Sequence, residues 1–220
     1  MKYKFDIEFI EKEVAVKFVQ KYHYSKTMPY ITKYYLGAYI DENLKGIITL
    51  GYGTRPRHTF NKMFPAYGIL EKTDNQFVYN LNDVYFEIGK FCLSSDMNNS
   101  TAGSQLLSTI IKWMKKNTKA EYLYTLADGM NNKVGYLYQA SNFYYSEKYK
   151  TYAYYLNIDD KRIHPRTYQD LNLAEHYSAY KKYSYMFRYL FPLNKKAKKI
   201  MLTQSSMNWS KNYPKEPDLI

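Results

Sequence analysis

The chain has 220 residues, of which 45% are hydrophobic, and carries a formal net charge of +12. This length suits one large domain or a domain with an extension, and the apolar content allows a sizeable core. No apolar run approaches the ~20 residues of a membrane span, acids interrupt the N-terminal region where a signal peptide is apolar, and only one cysteine occurs, which predicts a soluble cytoplasmic protein without disulfides.

The first predicted elements are a strand, a helix and a hairpin. A short strand is expected at 2–8. Between 10 and 22, apolar side chains recur every four residues among Lys and Glu, which predicts an amphipathic helix. The segments "KYYLGAYID" and "LKGIITLGYG" flank a polar turn and predict a β-hairpin. Residues 54–83 contain two prolines and are too long for an ordinary connector.

The middle of the chain alternates strands with helices. "DVYFEIGKFCLSS" predicts a central strand, followed by a turn-rich loop and a helix over about 102–117. "AEYLYTLA" predicts the next strand, "GYLYQASNF" closes a second helix, and "YYSEKYK" with "TYAYYLNI" predicts a final strand pair. Helices inserted between strands predict an α/β fold with a mixed sheet. Because the composition changes near Ile158, we predict a core at 1–158 and an extension at 159–220.

The segment "SSDMNNSTAGS", between a strand and a helix, is a candidate phosphate-binding loop. Small residues let backbone N–H groups approach an anion, and the helix dipole favours negative charge. An ordinary capped helix would look the same, and the segment lacks the Walker and Rossmann spacings. By itself the loop therefore argues against nucleotide hydrolysis and NAD binding.

Several polar residues stand where chemistry is possible, but each has a structural alternative. His23 could cap the helix that it ends, and Asp128, followed by Gly129, could be a turn or N-cap acid. Tyr138 shares a helix face with apolar residues and could belong to the core. Cys92 lies in a strand, so a buried, inert thiol is expected, and one cysteine excludes a multi-thiolate zinc site.

The C-terminal fifth of the chain is basic and aromatic. Residues 176–215 contain nine Lys or Arg and no Asp or Glu, a pattern that favours contact with phosphates and bases. Codon bias towards Lys and Tyr is the alternative explanation for the overall charge. Tyr185, Phe187 and Tyr189 alternate like the inward face of a strand, so part of this segment is expected in the core. The residues predicted to contact DNA are Arg55, Arg57, Arg166, Lys181, Lys182, Arg188, Lys195 and Lys196.

The stretch "GYLYQASNF" resembles the Leu-Tyr-x-x-x-Gly-Phe ending of GCN5-related N-acetyltransferases (GNATs). The resemblance implies a GNAT-like mixed sheet in which two central strands splay and hold acetyl-CoA. Its pyrophosphate would lie on the loop and helix start after the first of these strands. The glycine motif of that loop is degraded, and only Gly103 remains. The residues expected to bind the cofactor are Lys90, Phe91, Cys92, Ser100, Gly103, Ser104 and Asn142.

A second resemblance covers roughly residues 20–215. The motifs "YHYS", "EIGKF", "LADG…VGYLYQASNF", "RIHPRT", "FRYLF" and "YPK" occur in the same order in the Mom-type DNA modification proteins of bacteriophages. Mom proteins look like acetyltransferase-fold enzymes that convert adenine in DNA to a carbamoylmethyl derivative, which protects phage DNA from restriction. Two departures from the family pattern are Lys90 in place of arginine and the serine-rich loop at 100–104.

The Mom resemblance implies that His23, Tyr24, Asp128 and Tyr138 are catalytic. Joining an acetyl methyl carbon to the adenine amine requires breaking a C–H bond, which acid–base groups alone do poorly. A redox metal such as Fe(II) is therefore expected, with His23, Tyr24 and Asp128 as N/O ligands. Tyr138 would position or protonate the CoA thiolate.

Double-stranded DNA and acetyl-CoA are thus the expected partners, with no membrane. Extracting an adenine from the duplex costs a few kcal/mol, and phosphate contacts alone would give little sequence preference. Two alternatives are an ordinary N-acetyltransferase acting on a small amine or a protein, and a DNA-binding protein that has kept the fold without catalysis. The oligomeric state is not predicted.

Overall fold

The computed structural model describes residues 2–53, 56–65, 72–73, 76–77, 84–97, 101–129, 133–158, 162–163 and 178–216. The strands are β1 (Asp6–Phe9), β2 (Thr32–Ile40), β3 (Asn43–Gly51), β4 (Lys72–Thr73), β5 (Gln76–Phe77), β6 (Tyr85–Leu93), β7 (Tyr122–Asp128), β8 (Tyr144–Leu156), β9 (Arg162–Ile163) and β10 (Ala179–Pro192). The helices are α1 (Lys12–Tyr22), α2 (Pro56–Met63), α3 (Ala102–Asn117), α4 (Tyr136–Ala140) and α5 (Lys195–Gln204). None of these helices is long and apolar enough to cross a membrane.

The main sheet has eight strands in the order β1-β2-β3-β6-β7-β10-β8-β9. Within the described residues, β6 and β7 form the one parallel pair of this sheet. Every other pair of adjacent strands in it is antiparallel. Strands β4 and β5 form a separate pair. The prediction of an α/β fold with a mixed sheet is confirmed.

The predicted hairpin is β2 and β3, joined at Asp41 and Glu42. Both turn residues have positive φ, 47° and 63°, the backbone that matches the twist of the flanking strands in a two-residue hairpin. The predicted helix over 102–117 is α3, and its apolar stripe is buried as expected. The burial of each such side chain stabilises the fold by roughly 1.5–3 kcal/mol.

The two central strands separate after a short parallel ladder. Their last paired residues are Glu87 and Tyr124, although β6 continues to Leu93 and β7 to Asp128. A register shift between β3 and β6 at Gly89 lies just after this point, and such irregularities bend a strand. The predicted pair of splayed central strands is therefore present.

The C-terminal part differs from the prediction. The expected final strand pair is wrong, because "YYSEKYK" and "TYAYYLNI" form one continuous strand, β8, which pairs with β10. Strand β10 lies between β7 and β8, with Phe187 and Tyr189 buried as their alternation predicted. The division into 1–158 and 159–220 remains a prediction, and β10 shows that the second segment supplies a strand to the shared sheet.

The core lies on both faces of the sheet. On one face, α3 packs its leucines and isoleucines against β7 and β10. On the other face, Phe18 and Val19 of α1 cover Ile47 and Cys92, while Trp209 and the aromatic residues of α2 cover β6 and β7.

Candidate functional site

A cavity of about 490 Å³ occupies the gap between β6 and β7. It is lined by residues 23–25, 88–91, 125–128, 133, 135–138 and 162. These segments come from the end of α1, the two parted strands, α4 and β9. All four residues predicted to be catalytic, His23, Tyr24, Asp128 and Tyr138, lie on this cavity.

His23 reaches the cavity because α1 ends there. Its backbone N–H caps the helix by donating to the Val19 carbonyl, so the imidazole has no capping role. Nδ1 lies 2.9 Å from the Ser25 nitrogen and 3.0 Å from the Ser25 oxygen, which leaves Nε2 for a ligand. Burial, reinforced by the nearby Lys90 ammonium, lowers the pKa of His23 to about 4. The imidazole is therefore neutral at neutral pH.

Lys90 projects from β6 and is 7% exposed. Its Nζ donates to the Ser25 carbonyl oxygen at 2.9 Å and to the Ser25 hydroxyl at 3.0 Å. Burial lowers the pKa of Lys90 to about 8. This side chain ties β6 to the segment that carries His23, and it remains a cation at neutral pH.

Asp128 ends β7, and its carboxylate binds the Arg162 guanidinium at 2.7 Å. It does not cap α4, whose N-cap is Gly135, so the structure places Asp128 in the cavity and not at the helix start. The Asp128 side chain is 10% exposed, compared with 37% for Arg162. A short strand from the C-terminal part of the sheet thus holds the acid in place.

Tyr24 stacks on His23, with ring centroids 4.4 Å apart. Lys133 Nζ lies 5.1 Å from the centroid of the Tyr24 ring, within cation–π range. Burial raises the pKa of the Tyr24 phenol to about 12, and the Asp128 carboxylate adds to the shift. The hydroxyl of Tyr24 therefore keeps its proton at neutral pH.

Tyr138 lies on α4 and packs against Phe143 and Tyr189, with centroids 5.5 Å away in each case. Its phenol forms a hydrogen bond with the Thr125 hydroxyl, and burial raises its pKa. Gly135, the N-cap of α4, has φ 93°, and a Cβ there would lie 2.5 Å from the Tyr189 ring. Glycine is therefore required to bring α4 onto the cavity. Tyr138 is both a packing residue and a cavity residue.

Whether the cavity could hold the predicted iron depends on which of its side-chain atoms are free to coordinate a metal ion. His23, Tyr24 and Asp128 share the cavity, but Arg162 already binds an oxygen of the Asp128 carboxylate at 2.7 Å. A bound cation would also face Lys90 and Arg162. Elsewhere in the described residues, no cluster of three or more His, Cys, Asp or Glu could hold a metal. This arrangement does not fit a metal ion, and we carry the iron prediction no further.

The residues predicted to bind the cofactor fall in three places. Lys90 and Phe91 line the cavity, and Gly103 lies at the start of α3, where a Cβ would meet Leu137 at 3.1 Å. Ser104 and Asn142 line a separate, open groove between α3 and the end of α4. Ser100 lies outside the described residues.

Cys92 corrects the prediction of a cofactor-binding side chain. Its thiol points into the cluster beneath α1, and burial raises its pKa to about 11. The alternative expected from the sequence, an inert and buried cysteine, is thus the better description of its side chain. Only the backbone of Cys92, on the open edge of β6, remains available for a ligand in the gap.

The β8–β10 pair continues beyond the end of β7 and forms a two-stranded arm beside the cavity. We use this name for residues 148–156 of β8 and 179–187 of β10. From Lys150 and Tyr185 outward, the two strands extend past Asp128, the last residue of β7. The register and side-chain alternation put Lys148, Lys150 and Lys181 on one face together with tyrosines. Lys148 lies 4.5 Å from the Tyr185 ring centroid, and Lys150 lies 4.7 Å from that of Tyr183. We call this the basic face.

The predicted DNA-contacting residues are divided by burial. Lys181 and Lys182 lie on opposite faces of the arm, and Lys195 and Lys196 lie in the first turn of α5; all four are exposed. Arg188 corrects the prediction, because it is 8% exposed and its Nε donates to the Tyr124 hydroxyl while its guanidinium pairs with Glu147. Arg55 and Arg166 lie outside the described residues, as does the side chain of Arg57.

Sequence reasoning missed several polar cavity residues, among them Arg162, Lys133 and Thr125. Arg162 is the first residue of the "RIHPRT" motif, but the residue of this motif predicted to be functional was Arg166, which lies outside the described part of the chain. Lys133 and Thr125 were missed because nothing in their neighbours signals a function. The motif itself was the one available signal for Arg162.

Comparisons with known proteins agree with the motif resemblance. A model of the Mom protein family matches residues 4–215. The methylcarbamoylase mom of Escherichia phage Mu is 24% identical over 208 residues, which cover 90% of this chain and 79% of that protein.

Solved acetyltransferases give weaker matches. The ribosomal-protein-S18-alanine N-acetyltransferase of Escherichia coli has a TM-score of 0.48 and 10% identity, covering 87% of this chain and 95% of that one. The Bacillus subtilis acetyltransferase in complex with CoA has a TM-score of 0.45 and 14% identity, covering 87% and 100%.

Proposed function

The chain belongs to the Mom protein family, and from this membership we propose that it is a transferase that uses acetyl-CoA to modify the exocyclic amine of adenine in DNA. The phage Mu relative is named a methylcarbamoylase, and we infer a carbamoylmethyl-type product here. Its formation needs two co-reactants besides acetyl-CoA: a two-electron oxidant, which removes two hydrogens as the methyl carbon bonds to the adenine amine, and ammonia or another nitrogen donor, which displaces the CoA thiolate. The modified DNA would resist restriction endonucleases in the bacterial host cell. Phage or prophage DNA is the expected substrate.

One observation carries this proposal. His23 from the N-terminal helix and Asp128 from β7 lie 105 positions apart in sequence and line one cavity with Tyr24 and Tyr138. These are the residues that the Mom resemblance implies are catalytic. Helix capping does not explain their convergence, since neither the His23 imidazole nor the Asp128 carboxylate caps a helix.

The gap between the strands fits an extended acyl-CoA arm. From Ile88 onward, the edge of β6 that faces β7 has no partner strand among the described residues, so its backbone N–H and C=O groups are available to an amide-containing chain. The cavity in the gap is large enough for the reacting end of such a chain. When bound, acetyl-CoA supplies an activated two-carbon acyl group.

The protein's own residues then have separable roles. Asp128 is the carboxylate among the described cavity residues, and we assign it to binding the adenine amine and accepting its proton. The neutral imidazole of His23 offers Nε2 as a second polar contact. Tyr138 stays protonated and can donate to the departing thiolate. Lys90 supplies positive charge close to where negative charge develops.

The experiment is to express the protein in Escherichia coli with a plasmid, digest the plasmid to nucleosides and measure their masses. The proposal predicts a mass-shifted deoxyadenosine that depends on the protein, together with plasmid that resists restriction enzymes with adenine in their sites. The mass distinguishes a carbamoylmethyl group from a plain acetyl group. Unmodified DNA, with acetylation of a small amine or protein instead, would establish the ordinary acetyltransferase alternative.

A binding measurement separates the remaining alternative. If the protein were only a DNA-binding protein on this fold, titration with acetyl-CoA would give no saturable signal. The proposed enzyme should bind acetyl-CoA in a saturable manner without DNA, because the parted strands are already formed.

A further inference from the structure

The arm curls back over the cavity. Its register places Arg162 of β9 opposite Tyr155 of β8, and Tyr155 opposite Tyr180 of β10. Tyr180 lies six residues along β10 from Met186, the partner of Asp128 at the end of β7. In a flat sheet the Cα atoms of Arg162 and Asp128 would therefore lie about 24 Å apart. Their side chains are too short to bridge that distance but are in contact at 2.7 Å, so the tip of the arm bends towards Asp128.

A β-bulge lies at the base of the arm. Between Phe187 and Tyr189, one residue of β10 stands opposite two residues of β8, and bulges of this kind bend a strand and increase its twist. The bend has a direction, because residues directly opposite one another in antiparallel strands lie on the same face. The side of the arm shared with Asp128 is therefore the concave one, which we call the inner face. Its residues are Tyr149, Thr151, Ala153, Tyr155, Tyr180, Lys182, Ser184 and Met186.

The inner face carries a pair of stacked tyrosine rings. The ring centroids of Tyr155 and Tyr180 lie 5.8 Å apart, their planes are inclined by 28°, and Tyr180 is 43% exposed. On the basic face, the rings of Tyr152 and Tyr183 are inclined by 59°, and a lysine ammonium lies over each ring. The inner face therefore offers a flat aromatic platform, whereas the rings of the basic face are tilted and covered by lysines.

The charge of the arm suits a nucleic-acid strand. Its two segments contain four lysines and no Asp or Glu. On the inner face, Lys182 Nζ lies 5.4 Å from the centroid of the Tyr155 ring, and Arg162 is the partner of Tyr155 in the ladder. Two cations therefore flank the ring pair. Aromatic faces for the bases, combined with cations for the backbone, are the features of surfaces that bind single strands.

The space under the arm suits a single strand better than a duplex. The contact between Arg162 and Asp128 joins the tip of the arm to the end of β7, whereas the major groove alone of a B-form duplex is about 12 Å wide. A strand whose bases are turned outward is narrower, and its bases can reach the inner face. This face leads directly to Asp128, which lines the cavity.

We propose that the inner face of the arm is a stacking site for an unpaired base that neighbours the adenine to be modified. This inference rests on the proposed function, in which the adenine is extruded into the cavity. The neighbouring base stacks on the ring of Tyr180, and Lys182 contacts a phosphate of the same strand. This stacking replaces part of the stacking that the strand loses when the adenine leaves the duplex, so the site stabilises the open DNA.

The test separates base stacking from phosphate contact. Fluorescence anisotropy would compare two labelled single-stranded oligothymidines with one central adenine, of which the second is abasic on both sides of that adenine. Both carry the same phosphates, so electrostatic binding cancels in the ratio of the two affinities. The variants are Tyr180→Leu, which removes the ring, and Tyr180→Phe, which keeps it. Tyr183→Leu is the matched control, because Tyr183 is 47% exposed on the basic face of the same strand.

The wild type should bind the base-bearing oligonucleotide about 10-fold more tightly than the abasic one, as expected for one stacked base. Tyr180→Phe and Tyr183→Leu should keep this preference, and Tyr180→Leu should lose most of it. Three results would overturn the inference: a wild type without the preference, Tyr180→Leu that keeps it, or Tyr183→Leu that loses it to the same extent.

A second readout keeps the test valid if thermal melting shows that Tyr180→Leu is unfolded. Tyr180→Trp places an indole at the site, and its emission should be quenched more strongly by the base-bearing oligonucleotide than by the abasic one. In Tyr183→Trp, on the basic face, the two oligonucleotides should quench equally. Equal quenching of Tyr180→Trp by both would exclude base stacking at this position.

Nucleoside masses from the same preparations separate this inference from the proposed function. If the wild type makes modified deoxyadenosine but Tyr180→Leu keeps the base preference, the stacking site is wrong and the reaction stands. If Tyr180 carries the base preference but the wild type modifies no adenine, the proposed reaction is wrong and the inner face remains a binding site for single strands.

Discussion

The cavity and the basic face of the arm are both rich in charge, but they hold it differently. In the cavity, Lys90 is 7% exposed and fixed by two hydrogen bonds, and Asp128 is bound to Arg162. On the arm, Lys150 and Lys181 are exposed and lie over tyrosine rings. Desolvated, fixed charges can stabilise one transition state, whereas solvated charges on flexible stems add affinity for any phosphate.

Because of this difference, we expect single substitutions in the cavity to change the rate of modification and single substitutions on the arm to change DNA affinity. In the cavity, one atom changed in position or charge should alter the rate of modification. On the arm, each lysine should contribute a similar, salt-dependent share of DNA affinity. A cavity substitution that changed only DNA affinity, or an arm substitution that changed only the rate of modification, would contradict this expectation.

The largest effect is expected for Asp128→Asn. The amide cannot accept the amine proton, so modification should fall by about 100-fold or more. The lost ion pair with Arg162 is partly exposed, so unfolding free energy should change by no more than about 1 kcal/mol. Plasmid nucleosides and urea unfolding measure the two quantities, with Asp6→Asn on β1 as the control. Activity close to wild type would remove Asp128 from the chemistry.

Tyr138→Phe sharpens the distinction between chemistry and packing within the cavity. The ring contacts with Phe143 and Tyr189 remain, but the donor to the thiolate is lost, so modification should fall by about 10-fold. Tyr189→Phe is the matched control. It removes a hydroxyl that accepts from Gln139 at 3.0 Å, so it should cost about 1 kcal/mol of stability and little activity. Equal activities of the two variants would make Tyr138 a core residue.

Glu87→Gln gives a pH-dependent change in stability. The carboxyl has a pKa of about 7 in the folded chain against 4.5 for an ordinary glutamate. Between these values the folded state binds more protons than the unfolded state, so stability falls as the pH rises from about 4.5 to about 7. Because glutamine does not ionise, the variant does not lose this stability. Its free energy of unfolding at pH 8 should exceed that of the wild type by about 1 kcal/mol. Urea unfolding at pH 5 and pH 8 measures it, and an equal effect at both pH values would contradict the assignment.

The sequence predicted the individual site residues better than their environment. His23 at a helix end and Asp128 at a strand end follow from local patterns. Their convergence depends on the sheet order, which a single sequence does not specify. The ion pair with Arg162 joins positions 34 residues apart, and the raised pKa of Glu87 results from burial by distant elements. No local pattern carries this information.

The arm shows why the final strands were misread. A turn was predicted between "YYSEKYK" and "TYAYYLNI", but this junction contains no Gly, Pro, Asn or Asp, the residues that favour turns. The alternation of Tyr and Lys continues through it, as expected for one long strand. Arg188 was misassigned for a related reason, since its charge was counted without the acid, Glu147, that neutralises it.

The smallest effect is expected for the double variant Lys150→Gln and Lys181→Gln on the basic face. Each lysine that neutralises a phosphate should contribute about 0.9 to the slope of log affinity against log salt. The double variant should therefore lower that slope by about 2 and weaken duplex binding by about fivefold at moderate salt. Lys12→Gln with Lys17→Gln, exposed on α1, is the matched control for lost charge. At saturating DNA, modification should match the wild type, because the cavity is untouched. If the rate at saturation falls, the arm positions the base as well as the duplex, and the division between cavity and arm fails.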